Sequence, residues 1–336
     1  MNRKNMVVML GIIALLVSSS MALMAFTGCK QKLTPASLQQ ENGTLEVFFS
    51  KTDNCEAKLE QILNSSSTIK AALYDLDDKQ LISILKKKNA DVLVDEDNYF
   101  GYGTNITGPG LMHNKFWLAY NSNSSSSSPD NTNYVITGSL NPTSNDIYKN
   151  DNNLIIISSK YLEKNYEDEF NELKSNASDK PTIYQKIIFN NHLLENYFCP
   201  DDQCEGKVLN ALKAAQKSVY FMTFSFTSNA LGNYLVSKRQ ELDIRGVFDE
   251  SQVASQEKFT EYYKMLDSGM NVKLDGNPAK MHHKVFIIDN ETVVTGSYNP
   301  TSAGTNLNDE NILIIHDPGI AAKFLQEFIR VWQIAK

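Results

Sequence analysis

Two histidines, two lysines, two serines and two asparagines recur in this chain at matched spacing. Met112-His113-Asn114-Lys115 is followed by Thr137-Gly138-Ser139-Leu140-Asn141-Pro142-Thr143-Ser144. Met281-His282-His283-Lys284 is followed by Thr295-Gly296-Ser297-Tyr298-Asn299-Pro300-Thr301-Ser302. An imidazole serves as nucleophile or proton carrier near neutral pH, and an ammonium group holds an anion. Pooled, the two copies supply what is needed to grip and cleave a phosphodiester: two imidazoles, two ammonium groups and four neutral hydrogen-bonding side chains.

On a strand, residues two apart share a face, so His113 projects with Lys115 and His282 with Lys284. Asn114 and His283 then face the other way, and His283 reads as a packed or solvated residue. Each Gly-Ser pair ends a short apolar strand, where glycine permits a tight turn and a close backbone approach. Ser139, Asn141, Ser297 and Asn299 become candidate donors to phosphate oxygens.

The elements carrying these residues are duplicated as well. Phe49 to Glu56 aligns with Phe198 to Glu205, and in both copies a helix, an apolar strand, a second helix and another strand precede the His-x-Lys strand. The expected helices are Ala57 to Leu63 and Lys207 to Ala215, then Lys79 to Lys87 and Ala230 to Gln240. The expected strands are Ile69 to Leu76 and Ser218 to Phe226, then Asp91 to Asp95 and Ile244 to Asp249. Asn153 to Ile157 and Asn311 to Ile315 follow as buried strands, each leading into a helix. Strands alternating with helices predict an α/β fold whose sheets are covered on both faces. The Ser/Asn/Pro tract Asn121 to Pro129 reads as a flexible hairpin tip. Ser251 to Met265, an insertion in the second copy, reads as an extra helix.

In this arrangement the chain resembles the phospholipase D superfamily, whose signature is HxKx4Dx6GSxN. The second copy matches throughout, with His282, Lys284, Asp289, Gly296, Ser297 and Asn299. Asn308-Asp309-Glu310-Asn311 is similar to the family element whose glutamate orients a catalytic histidine. The first copy carries Tyr120 in place of the motif aspartate and Asn152 in place of the glutamate. Read along the chain, Glu310 therefore pairs with His282 and leaves His113 without a carboxylate, with Asp151 a candidate substitute.

The resemblance implies two pseudo-symmetric α-β-α sandwich domains sharing a single active site at their interface, within one monomer. It also implies a phosphohistidine mechanism with no metal: one histidine attacks phosphorus and the other protonates the leaving oxygen. His113, Lys115, His282, Lys284 and Glu310 are the expected catalytic residues. Ser139, Asn141, Ser297 and Asn299 would bind substrate, and Asp289 would support the site. Two-repeat relatives usually attack with the N-terminal histidine, which would be His113.

The N-terminus reads as targeting. Arg3 and Lys4 precede an apolar run from Met6 to Phe26 that ends at Thr27-Gly28-Cys29, resembling a lipoprotein export signal with Cys29 the lipidated residue. The domain reading is thus 1–28 signal peptide, 29–44 linker, 45–178 first repeat and 179–336 second repeat, in an exported protein that is either a membrane-anchored lipoprotein or free outside the cytoplasm. Loss of Arg3 and Lys4 takes the formal charge from −7 to −9, which disfavours non-specific binding to polyanions. If Cys29 carries lipid, Cys55, Cys199 and Cys204 remain. Spacing allows Cys199–Cys204, repeat symmetry allows Cys55–Cys204, and free buried thiols are the third arrangement.

Three functions follow. The first is hydrolysis or transfer of a phospholipid headgroup at a membrane. The second is a non-specific endonuclease acting on nucleic acid, and the third, of another class, is a catalytically inactive surface-binding lipoprotein. Tyr99-Phe100-Gly101-Tyr102 offers aromatic rings to bases, to acyl chains or to the sheet beside it.

Overall fold

The apolar runs of both copies form two mixed sheets. A computed structural model describes residues 38–121, 132–177 and 180–336. The signal segment, Cys29 and most of the Ser/Asn/Pro tract lie outside the described residues.

The first copy supplies β2 (Leu45–Phe49), β3 (Thr68–Leu73), β4 (Asp91–Asp95), β5 (Thr104–Ile106), β6 (Lys115–Tyr120), β7 (Tyr134–Gly138) and β8 (Asn153–Ile157). They are ordered β2-β8-β7-β6-β3-β4-β5. The second copy repeats this order with β10 (His192–Cys199), β16 (Glu310–Ile315), β15 (Thr292–Gly296), β14 (Lys284–Ile288), β11 (Ser218–Thr223), β12 (Asp243–Phe248) and β13 (Asn271–Leu274). The second sheet gains β9 (Lys186–Phe189) beside β10, and β1 (Gln39–Glu41) pairs parallel to β9. Residues 39–41, read from sequence as linker, thus form a strand on the sheet of the second copy.

Outside the first sheet lie α1 (Cys55–Ser65) and α2 (Lys79–Lys87), whose Leu59, Leu63, Leu81 and Leu85 pack on Ile69, Leu73 and Trp117. The short α3 (Ser144–Tyr148) adds Ile147 to that layer. After β8 comes α4 (Lys160–Ser175), and α5 (Cys204–Lys213) and α6 (Asn229–Lys238) cover the second sheet with Val208, Leu212, Leu231 and Leu235. The Ser251 to Met265 insertion is two short helices rather than one, α7 (Glu250–Ser255) and α8 (Glu261–Asp267). The chain ends with α9 (Ser302–Asn306) and α10 (Pro318–Ile334).

A third layer lies between the sheets. Leu162, Tyr166 and Phe170 of α4 and Ile320, Phe324 and Phe328 of α10 recur every four residues, and their apolar stripes share one core with Val47 and Leu118 of one sheet and Val285 and Leu313 of the other. The N-caps are as such helices require: Ser159 accepts from the Leu162 amide, and Asp317 precedes Pro318 at the first turn of α10. Both copies therefore belong to one compact unit, Gln39–Lys336. Cys199 and Cys204 form a disulfide at the start of α5, and Cys55 is a free buried thiol.

Candidate active site

Each histidine is placed by the other copy of the repeat. The strands begin at Lys115 and Lys284, so His113 and His282 lie just ahead of them rather than within them. The reason is local: the Met112 amide donates to Asp95 Oδ2 at 2.7 Å and the Met281 amide to Asp249 Oδ2 at 3.0 Å. The chain then crosses over, with Met112 bridging Asp309 and Asp151 bridging Met281. The His282 amide donates to the Asp151 carbonyl at 2.9 Å, completing that link.

The acid partners follow this crossing, which corrects the pairing read along the chain. Glu310 lies 2.8 Å from Nδ1 of His113, not of His282. Nδ1 of His282 lies 2.9 Å from Oδ1 of Asn152. Asn152 Nδ2 donates to the Asp146 carbonyl, which fixes the amide with its oxygen toward the ring. Asp151 does not substitute: its carboxylate binds Arg330 and accepts from Asn277 Nδ2 at 2.8 Å. With Nδ1 of both rings engaged, Nε2 is the nitrogen each offers to a substrate.

The lysines fold back onto the same motif. Lys115 Nζ donates to the His113 carbonyl at 2.7 Å and Lys284 Nζ to the His282 carbonyl at 2.9 Å. Lys115 also lies 4.8 Å from the centre of the Tyr74 ring, and Lys284 4.9 Å from that of Phe224. Those rings stand 4.7 Å from His113 and His282 respectively, forming matched aromatic walls. Sequence reasoning missed Tyr74 and Phe224, whose signal was an aromatic residue at equivalent positions just after β3 and β11.

The serines have a different task from the one expected. Gly138 and Gly296 have φ of +136° and +141°, and a Cβ there would lie 2.4 Å from the Asn153 carbonyl and 2.2 Å from the Asn311 carbonyl. This close approach buries Ser139 and Ser297 completely. Ser139 Oγ accepts from the Asn153 amide at 3.0 Å and donates to Asn152 Oδ1 at 2.9 Å. Ser297 Oγ accepts from the Asn311 amide at 2.9 Å. Both hydroxyls brace the segments that carry the histidine partners, and neither serine lines the cavity described below. Asn141 does face the cavity; its Oδ1 has no partner among the described residues, while its Nδ2 donates to Asp146 Oδ2 at 2.6 Å. Asn299 Oδ1 is likewise without a partner among the described residues.

Asp289 sits in the β14–β15 turn, away from the chemistry. Its carboxylate accepts the amides of Gln216, Lys217 and Ser218 at 2.7 to 2.8 Å. In the first copy Ser67 bonds the Tyr120 carbonyl instead, through its amide at 2.8 Å and its hydroxyl at 2.9 Å. The substitution of the motif aspartate by Tyr120 therefore spares the site. Asp289→Ala is expected to cost about 1–3 kcal/mol of stability through the orphaned amides, measured by denaturant unfolding, with kcat/KM within about threefold of wild type.

The remaining motif positions join the two halves. Asn114 Nδ2 donates to Glu169 at 3.0 Å, and Asn114 Oδ1 accepts from Asn311 Nδ2 at 2.9 Å. His283 lies 3.0 Å from Glu327 and 3.2 Å from Asn153, buried as the packed reading required.

His113 and His282 open onto a cavity of about 520 Å³, lined also by Tyr74, Asp75, Asp77, Asn141, Asp146, Phe224 and Lys280. Burial pushes His113 down to about 4 despite the attraction of Glu310, and pushes Lys115 down to about 8. Burial and then the neighbouring ammonium groups hold His282 and Lys284 well below their ordinary values. Burial thus favours the neutral form of both imidazoles, and an anionic substrate would favour the return of protons to the cluster.

Two histidines from pseudo-symmetric halves, each with an engaged Nδ1 and a buried lysine beside it, define a phosphodiesterase of the phospholipase D-like class. The chain belongs to the family described as cardiolipin synthase, PLD-like domain, whose profile matches it twice, at 57–174 and 208–332. It is similar to a phospholipase D of Rickettsia felis, 28% identical over 159 residues that cover 46% of this chain and 78% of that protein. Human mitochondrial cardiolipin hydrolase is 34% identical over 129 residues, 38% of this chain and 50% of that protein. Phosphatidylserine synthase of Haemophilus influenzae shares the fold, with a TM-score of 0.65 at 11% identity and 87% of each chain covered.

Proposed function

We propose that this chain is an exported, lipid-anchored phospholipase D-type enzyme that cleaves or transfers phospholipid headgroups. The observation that carries the reading is the crossed pair of His-Lys motifs meeting at one cavity. Glu310 holds the proton on Nδ1 of His113, which leaves the Nε2 lone pair free to attack phosphorus. The P–O bond to the leaving alcohol breaks as the P–N bond forms, and His282 gives its proton to the departing oxygen. Water then passes a proton to His282 and its oxygen attacks phosphorus, breaking the P–N bond. Lys115 and Lys284 stabilise charge on the non-bridging oxygens.

Two features favour a phospholipid over a nucleic acid. Asp75, Asp77 and Asp146 line the cavity of a chain with formal charge −7, which opposes a polyanion. Phe100 and Phe259 are 75% and 72% exposed; Phe100 lies in the loop between β4 and β5, and Phe259 lies between α7 and α8, which stand between the equivalent strands β12 and β13. Asn98, two residues before Phe100, lines the cavity, and Phe259 lines an adjoining groove with Phe224 and Asn299, so both rings suit contact with acyl chains. The full chain in EDTA is expected to release headgroups from phosphatidylethanolamine or phosphatidylglycerol vesicles and to leave plasmid and single-stranded DNA intact. Cleavage of DNA alone would assign it to nucleic acid, no turnover of any substrate would leave a binding protein, and loss of activity in EDTA would overturn the metal-free mechanism.

A further inference from the structure

We propose that Asp146 supplies the negative charge that stabilises protonated His282, taking over in the first repeat the work that Glu310 does in the second. This inference rests on the two-histidine mechanism above. The observation is an exchange of acids between repeats. Where the second repeat has Glu310 the first has Asn152, and where the first has Asp146 the second has Gly304. Each imidazole thereby keeps one carboxylate: Glu310 lies 2.8 Å from Nδ1 of His113, and Asp146 Oδ2 lies 3.5 Å from Nδ1 of His282.

Asp146 is buried and held as an acceptor. Its carboxylate takes the Asn141 amide at 2.8 Å, Asn141 Nδ2 at 2.6 Å and Asn150 Nδ2 at 2.5 Å, so it is positioned by donors before any substrate arrives. In the second repeat no side chain fits at the equivalent place, since a Cβ on Gly304 would lie 2.4 Å from the Asn299 carbonyl. The division of labour at His282 is then clear. Asn152 Oδ1 accepts the Nδ1 proton and orients the ring but carries no charge. Asp146, just beyond hydrogen-bond reach, offsets the positive charge when Nε2 takes up a proton. That offset is needed because Lys115, Lys284, Lys280 and His113 all oppose a charged His282. Asp146 is thus a positioning and charge-balancing residue acting through His282.

The leaving group separates this role from a merely structural one. A p-nitrophenolate departs without a proton, whereas an alkoxide requires one. Asp146→Asn is expected to lower kcat/KM on dihexanoylphosphatidylglycerol by about 10²-fold and on bis(p-nitrophenyl) phosphate by less than about threefold. In the same variant the His282 imidazole, followed by NMR titration, should protonate about one pH unit lower than in wild type. The double variant Asp146→Asn/Asn152→Glu returns a carboxylate to the repeat-equivalent position and should recover the lost activity to within about tenfold of wild type. Equal losses on both substrates, an unmoved His282 titration, or no loss at all would overturn the proposal, and a double variant that folds but stays inactive would do the same. If wild type hydrolyses neither substrate while His282 still titrates lower in Asp146→Asn, the enzymatic reading falls and the electrostatic pair stands.

Discussion

Replacing His113 with alanine is expected to lower kcat/KM by about 10⁴-fold or more, and replacing Glu310 with glutamine by about 10²- to 10³-fold. In the proposed mechanism the first change removes the attacking nitrogen. The second leaves a side chain of the same size but withdraws the charge 2.8 Å from Nδ1, so neither the reactive tautomer nor the phosphoimidazolium is held as firmly. The diagnostic result is the combination. Glu310 acts through His113, so His113→Ala/Glu310→Gln should be no slower than His113→Ala alone. If Glu310 instead served the histidine of its own repeat, the two losses would multiply. Steady-state kinetics of the three proteins, with circular dichroism to confirm folding, distinguish the two wirings.

That wiring was the least legible part of the sequence. The helix Lys79–Lys87 and the strands Asp91–Asp95 and Asn153–Ile157 lie where apolar periodicity places them, because local burial decides them. The reacting residue types were equally plain, since duplication repeats them. What a linear reading cannot supply is which copy faces which. Glu310 and His113 stand 197 residues apart, and Asn152 and His282 stand 130 apart. Each pair meets only because the short cross-bridges at Met112 and Met281 carry the histidines into the opposite half. The serines illustrate a second limit: residue type and spacing suggested phosphate donors, but the close approach at Gly138 and Gly296 turns both hydroxyls inward. Asp146 escaped notice for a third reason. It lies in a one-turn helix outside either motif, and its significance appears only when Gly304 is set beside it.

Buried lysines give the other large effect, in which activity and stability move in opposite directions. Lys115 is fully buried and its amine is pushed down to about 8, a value that already includes the attraction of Glu310, Asp146 and Asp75. Because the folded state binds this proton more weakly than the unfolded chain, Lys115 costs stability at every pH below about 8. The cost shrinks as pH rises from about 8 toward the ordinary lysine value of 10.5 and is gone above it. Lys115→Met keeps the packed stem and removes the charge. It is therefore expected to gain on the order of 2 kcal/mol at pH 7, with the gain fading between about pH 8 and 10. The same variant should lose about 10²- to 10³-fold in kcat/KM, since the proposed mechanism assigns both ammonium groups to the phosphoryl oxygens and one of them is gone. The wild-type rate carries a matching signature. Above about pH 8 the free enzyme sheds the proton that binds the anion, so kcat/KM should fall on the alkaline side. An occupying phosphate favours the charged amine, so the fall in kcat should begin at higher pH than the fall in kcat/KM. Lys284 is also held well below its ordinary value, by burial first and then by Lys115, so the two amines are coupled and the limb is a property of the pair. A Lys115→Met protein that is less stable than wild type at pH 7 would mean that the carboxylates around this ammonium outweigh its burial, and the alkaline limb would then lie near pH 10 or above.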